Sequence, residues 1–376
     1  MDLRILLAPD KFKGTLDAAS VAEAMALGAR DALGDADVRV HPLADGGEGS
    51  LECIAAAGRG SFTSVPAEDT FGNPVTARVF DDGDTAMVAA HETQLLAGRP
   101  TPAASLRASS RGLGTAMVGA RRAFPDRAIV VWVGGTASTD GGAGAAQAAG
   151  WRLLDARGRD VGPGGAALRA LARIVPPDEP FAARVVAACD VVNPLLGERG
   201  AASVFSAQKG AGPPEMQVLE DGLQRLAECI RTDLGADVAS LPYGGAGGGI
   251  GAGLAAFFDA GLEDGFARIA QETRLPAAIE WADVVLTGEG RVDAGSLGGK
   301  VPTNVARLCK HAGTPCLVVA GEVALPAALL PATDALGAAA VVSVVDRCGR
   351  ERSFGAPAAC VRAVTAELVR ERLAPG

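Results

Sequence analysis

Three short segments combine glycine with charged side chains: Asp10-Lys11-Phe12-Lys13-Gly14, Asp45-Gly46-Gly47-Glu48-Gly49 and Gly288-Glu289-Gly290-Arg291-Val292-Asp293. Glycine lets backbone N–H groups come close to an anion, a helix N-terminus favours negative charge, and lysine neutralises phosphate oxygens. The carboxylates need a separate explanation. Beside phosphate they repel, unless a divalent cation lies between or one of them accepts a proton from an attacking hydroxyl. Mg2+ carried in with a nucleotide meets the first condition, and phosphoryl transfer to a hydroxyl meets the second. Any one of these loops reads equally well as an ordinary Asp/Gly turn; the three together point to phosphoryl transfer onto a small acidic substrate.

Lysine usage supports the same chemistry. Among 35 basic residues the only lysines are Lys11, Lys13, Lys209, Lys300 and Lys310. In a chain that otherwise uses arginine, a retained lysine points to a need for a compact ammonium. All but Lys310 border glycine-rich loops, and Lys310 is expected on the surface of a helix.

A second set of loops lies mid-chain. Gly134-Gly135-Thr136-Ala137-Ser138-Thr139-Asp140-Gly141-Gly142-Ala143-Gly144 offers hydroxyls and N–H groups suited to phosphate. It is followed by Asp190, Asn193-Pro194-Leu195, Gln208-Lys209-Gly210 and the glycine run Gly244–Gly253, which reads alternatively as close helix packing. Known nucleotide signatures are missing. Lys300 follows Gly299, but Ala294 and Val301 break the G-x-x-x-x-G-K-[ST] pattern, and the spacing around Gly247–Gly253 misses G-x-G-x-x-G. His41, His91 and His311 lack metal-ligand spacing, and there is no G-x-S-x-G elbow.

The elements that must position these loops alternate strand and helix at both chain ends. Leu3–Ala8 and Val38–Leu43 read as strands, with helices over about 15–33, where Thr15 is the expected N-cap, and 48–57. Asp283–Thr287, Cys316–Ala320 and Ala338–Val345 resume the strand pattern, with helical segments at 303–311, 326–330 and 357–372. Five parallel strands from the two ends predict one doubly wound domain, residues 1–60 and 263–376, interrupted by an inserted α/β domain over 61–262. The insertion opens with antiparallel segments between Ser61 and Met87, then a helix at 111–123, the strand Ile129–Val133 and a helical stretch at 214–234. In a parallel sheet the ligand crevice lies beyond the strands' carboxyl ends, where the three charged loops fall.

Composition sets the outer limits. A length of 376 residues favours two domains, and 48% hydrophobic with 21% charged residues is globular. Apolar runs stay shorter than the roughly 20 residues that span a bilayer, and the start Met1-Asp2 leads directly into a strand, so the expected location is the cytoplasm, away from any membrane. Net charge −9 without a basic run argues against nucleic acid. Seven scattered cysteines without a C-x-x-C pair read as reduced thiols.

In this order, Ala8-Pro9-Asp10-Lys11-Phe12-Lys13-Gly14, Pro42-Leu43-Ala44-Asp45-Gly46-Gly47-Glu48-Gly49 and Thr287-Gly288-Glu289-Gly290-Arg291-Val292-Asp293 resemble the type 1 glycerate kinase family. Asp140-Gly141-Gly142-Ala143-Gly144, Cys189-Asp190, Gln208-Lys209-Gly210-Ala211 and Gly299-Lys300-Val301-Pro302 extend the resemblance over nearly the whole chain. It implies a flavodoxin-like domain from the two ends, an inserted domain similar to the restriction-endonuclease fold, and an active site between them. It also implies transfer of the γ-phosphoryl of ATP, with Mg2+, to (R)-glycerate, commonly giving 2-phosphoglycerate, with 3-phosphoglycerate the alternative. The chain departs from the family pattern at Ser109–Thr115, Met87–Pro100 and Thr139. These departures bear on substrate identity, for which another small sugar acid is the rival. A non-catalytic sensor of glycerate or nucleotide is the rival from a different functional class, and a monomer or homodimer is expected.

On this reading Lys11, Lys13, Lys209 and Lys300 surround the nucleotide phosphates and the substrate carboxylate, with Gly135, Ser138, Asp140, Gly288 and Gly290 in the nucleotide-binding loops. Arg291 is placed to clamp the carboxylate bidentately. Asp45 is the expected base, with Asp190 and Asp293 as rivals, and Glu48 and Glu289 are the expected Mg2+ neighbours.

Overall fold

The computed structural model describes residues 3–34, 36–58, 60–94 and 100–373; of the departing segment Met87–Pro100, residues 95–99 lie outside it. The protein is α/β and divides into two compact units, one comprising Met1–Asp45, Glu52–Gly58 and Phe266–Gly376, the other Gly46–Leu51 and Arg59–Gly265.

The first unit holds a five-stranded, wholly parallel sheet in the spatial order Ala340–Ser343, Cys316–Ala320, Val284–Thr287, Arg4–Leu7, Asp37–Val40. Numbered along the chain this is 2-1-3-4-5, the flavodoxin-like order, whose switch point falls between the first and third strands. The inner strands are buried on both faces, which explains their continuous apolar runs, whereas the edge strand Asp37–Val40 is largely exposed. Ile5, Leu7, Val284, Leu286, Leu317 and Val319 pack on one face against Val21 and Met25 of helix Ala18–Leu33 and Val361 and Val364 of helix Pro357–Leu373. The alternate residues Val318 and Ala320 pack with Val292 and Leu336. The two covering helices approach closely at Gly28, where a Cβ would lie 2.4 Å from the Arg362 carbonyl oxygen.

Asp17, not Thr15, caps the first helix. Its Oδ1 accepts the Ser20 N–H at 2.7 Å, while the Thr15 hydroxyl donates to the Phe12 carbonyl at 2.9 Å in the preceding turn. The expected second helix begins at Ser50, and the segment near 326–330 is a short 3-10 turn, Ala327–Leu329, followed by helix Ala332–Leu336.

The second unit holds a mixed six-stranded sheet ordered Gly261–Asp264, Val185–Cys189, Ala128–Trp132, Thr85–Ala89, Pro74–Asp81, Ser61–Glu68. Its first four strands run parallel, and the last three form an antiparallel meander. Val185–Cys189 and Gly261–Asp264 have no counterpart in the sequence reading; Val-Val-Ala-Ala-Cys in an alanine-rich chain gives little strand contrast. The glycine run of 244–253 forms part of helix Ala246–Phe258, whose geometry is interrupted by positive φ at Gly247, Gly248 and Gly249. Among the described residues no helix is long and apolar enough to cross a membrane, and all seven cysteines are free thiols.

Candidate active site

In the first unit the candidate residues singled out from the sequence collect at the switch point. Past the ends of strands Arg4–Leu7 and Val284–Thr287 the ladder continues through Ala8 N–H to Leu286 O at 2.7 Å and Asp10 N–H to Gly288 O at 2.8 Å. The Thr287 hydroxyl donates to the Ala8 carbonyl at 2.7 Å. These bonds hold the loop bearing Asp10, Lys11 and Lys13 beside the loop bearing Glu289. Glycine is required here by the backbone itself: a Cβ on Gly290 would lie 2.9 Å from the Lys13 nitrogen, and one on Gly288 would lie 2.1 Å from the Val319 carbonyl oxygen.

Asp10 received no role from sequence, yet it is 6% exposed, with Oδ1 accepting the Lys11 N–H at 2.7 Å. Burial, then the charge of Asp45, raises its pKa to about 7 against the opposing pull of Lys11. The signal that could have marked it was its place directly beyond the first strand. Glu289 is 4% exposed; its Oε1 accepts the Ser296 hydroxyl and lies 4.0 Å from Lys300 Nζ. Burial lifts Glu289 to about 7 as well, with Ser296 and Lys300 opposing, and Asp293 and Asp45 adding to the rise. Asp293 shapes its own turn, accepting the Gly295 N–H at 2.9 Å, and Arg291 is exposed, 3.8 Å from both Asp293 and Glu322. Asp45 is half-buried, Lys13 exposed and Lys11 partly exposed.

The second unit builds a comparable edge. The loops after its parallel strands Ala128–Trp132 and Val185–Cys189 meet where a Cβ on Gly134 would lie 2.9 Å from Asp190 Oδ2 and 2.5 Å from Gly47 Cα. A Cβ on Gly135 would lie 3.1 Å from that of His91. Gly134, Gly135, Asp190, His91 and the Gly46–Gly49 loop with its exposed Glu48 are therefore neighbours.

Asp140 is 1% exposed and ties the glycine-rich loop down. Its Oδ2 accepts Ser110 N–H at 2.8 Å, Ser110 Oγ–H at 3.0 Å and Gly144 N–H at 3.2 Å, and Oδ1 accepts Gly142 N–H at 3.3 Å. Burial raises its pKa, and these donors oppose the rise. The segment that departs from the family pattern at Ser109–Ser110 is thus an anchor of the loop. Lys209 is 5% exposed, and its Nζ donates to the Ser138 carbonyl at 2.6 Å and the Thr136 hydroxyl at 3.2 Å. The Ser138 hydroxyl is buried and has no hydrogen-bond partner among the described residues. Close packing accounts for the glycine run: Gly141 N–H donates to Gly248 O at 3.1 Å, and a Cβ on Gly248 would lie 2.0 Å from the Ser138 carbonyl oxygen.

Among the described residues no group of three or more His, Cys, Asp or Glu is arranged to hold a metal ion. The oxygen donors at the first unit's edge, Glu289 with Asp10 and Asp45 in its field, fit a hard cation that arrives on a nucleotide, since Mg2+ usually takes one or two carboxylates and keeps waters and phosphates as its other ligands.

A sequence model described as the glycerate kinase family matches residues 5–371. The chain belongs to the glycerate kinase family. Glycerate kinase of Halalkalibacterium halodurans is 39% identical over 324 residues, 85% of each chain. Glycerate 2-kinase of Escherichia coli K12 is 38% identical over 331 residues, again 85% of each. The crystal structure of a protein provisionally named glycerate kinase 2, from Salmonella typhimurium LT2, superposes with a TM-score of 0.79 at 35% identity, covering 99% of this chain and 98% of that one.

Proposed function

We propose that this chain is an ATP-dependent glycerate kinase that transfers the γ-phosphoryl of ATP to a hydroxyl of (R)-glycerate, giving 2-phosphoglycerate. The observation that carries the reading is the switch-point edge, where Lys11, Lys13 and Lys300 share one sheet edge with Asp10, Asp45 and Glu289 in a chain of this family. Cations at that edge neutralise phosphate oxygens, and Arg291 is exposed for a bidentate grip on a carboxylate. Asp45 receives the proton of the attacking hydroxyl, with Asp190 and Asp293 the alternatives; Asp293 is the weaker one because its Oδ1 is already held by its own turn. In the second unit Gly135 and the Ser138 hydroxyl face the nucleotide, while Asp140 keeps their loop in shape.

Glu289 is the carboxylate that would hold Mg2+, with Glu48 the alternative; when bound the ion would neutralise charge on the phosphoryl oxygens. What the protein itself supplies is orientation and a proton acceptor, and with a loose transition state these account for most of the catalysis. Another small sugar acid is the second candidate substrate, supported by the departures from the family pattern at Ser109–Thr115 and Met87–Pro100. Replacing Asp45 by Asn separates the roles: as base it should cost about 10²–10⁴-fold in kcat with KM little changed. Near-normal kcat in that variant would remove Asp45 as the base.

A further inference from the structure

We propose that Lys209 is a positioning residue of the kinase reaction, whose buried ammonium fixes the Gly134–Gly144 loop in its anion-receiving shape without touching the anion. The inference rests on the reading that this loop binds the nucleotide, and it replaces the direct phosphate contact expected for Lys209 from sequence.

The geometry leaves the ammonium facing inward. Lys209 is 5% exposed, and two of its three protons go to the Ser138 carbonyl at 2.6 Å and the Thr136 hydroxyl at 3.2 Å. A peptide group points its C=O and N–H in opposite directions, so drawing the Ser138 carbonyl toward Lys209 turns the Thr139 N–H the other way. The Ser138 hydroxyl, wholly buried and with no hydrogen-bond partner among the described residues, sits on the residue whose carbonyl Lys209 holds. Glycine backbone approaches the ammonium closely: a Cβ on Gly248 would lie 2.8 Å from Nζ and 2.0 Å from the Ser138 carbonyl oxygen. The left-handed run Gly247–Gly249 is thus the floor that admits a lysine head beneath the loop.

A cation here also adds positive potential under the loop, and the groups acting on it are Asp140 and Asp190. Burial lowers the Lys209 pKa to about 8, with those two carboxylates opposing the fall, so its charge is lost within the range where the enzyme can be assayed.

The test is steady-state kinetics of the full chain with ATP and glycerate for wild type, Lys209→Met, Lys209→Arg, Thr136→Val and Ser138→Ala, alongside thermal unfolding. Lys209→Met is expected to raise KM for ATP at least tenfold, and Thr136→Val about threefold, since only one of the two bonds is lost. kcat/KM for ATP, which reports the free enzyme, should fall above pH about 8 in wild type, and this limb should be absent in Lys209→Arg, whose charge does not titrate. If Lys209→Met does not fold, Thr136→Val and the pH profile carry the test. An unchanged KM for ATP in both Lys209→Met and Thr136→Val, or an alkaline limb unchanged in Lys209→Arg, would overturn the positioning role while a raised KM in Ser138→Ala still upheld the loop as nucleotide site. An unchanged KM in Ser138→Ala as well would overturn both.

Discussion

Replacing Asp140 by Ala removes the acceptor that ties the glycine-rich loop to residues 109–110. Three backbone donors lose their partner: Ser110 N–H at 2.8 Å, Gly144 N–H at 3.2 Å and Gly142 N–H at 3.3 Å. The hydroxyls of Ser109 and Ser110 rotate to other acceptors, but the amides cannot. An orphaned buried donor costs about 1–3 kcal/mol, and water entering the vacated space recovers part of it. Relief from removing a buried charge works in the opposite direction. The net expectation is a loss of about 3 kcal/mol from the second unit, with Asp140→Asn losing less because one oxygen can still serve the Ser110 and Gly144 donors. Urea unfolding followed by tryptophan fluorescence measures this, because Trp132 and Trp151 lie in the second unit and the first holds only Trp281. Loss of less than about 1 kcal/mol in Asp140→Ala would refute the anchoring role.

Asp17→Ala should destabilise the first unit by about 1 kcal/mol through loss of the N-cap bond to Ser20, whereas Thr15→Ala should cost less; chemical denaturation separates the two. Gly28→Val should be severe, since a Cβ there meets backbone at 2.4 Å, and a fall in the melting temperature of several degrees is expected. The pH dependence has a definite sign. Asp10 titrates near 7 in the folded chain and 3.8 in the reference state, so its contribution to stability is fully present below about 4 and is lost as pH rises to about 7. Asp10→Asn should therefore flatten the stability profile of the first unit between those limits, and an unchanged slope would contradict the burial of an ionisable carboxyl there.

What the sequence made legible was punctuation. The loops at 10–14, 45–49 and 288–293 stand out because glycine and charge interrupt apolar segments, and the strands before 10–14 and 288–293 are buried on both faces. Strand order was hidden, because only the tertiary pairing of Arg4–Leu7 with Val284–Thr287 creates the switch point. Val185–Cys189 was missed because alanine carries little strand preference. The roles of Asp140 and Lys209 depend on partners 30 and 71 residues away, which local spacing does not encode. Gly247–Gly249 could be read as a glycine run but not as three left-handed residues flooring a loop. Thr15 and Asp17 are both good caps by type, and the turn that consumes the Thr15 hydroxyl decides between them.

The central claim is that a family member with this switch-point edge phosphorylates glycerate at the expense of ATP. Phosphorus NMR of the purified chain incubated with ATP, Mg2+ and racemic glycerate tests it most directly. The account predicts ADP and 2-phosphoglycerate in equal amounts, with half of the racemate consumed. ADP with inorganic phosphate and no phosphoglycerate, or no ADP at all, would contradict it.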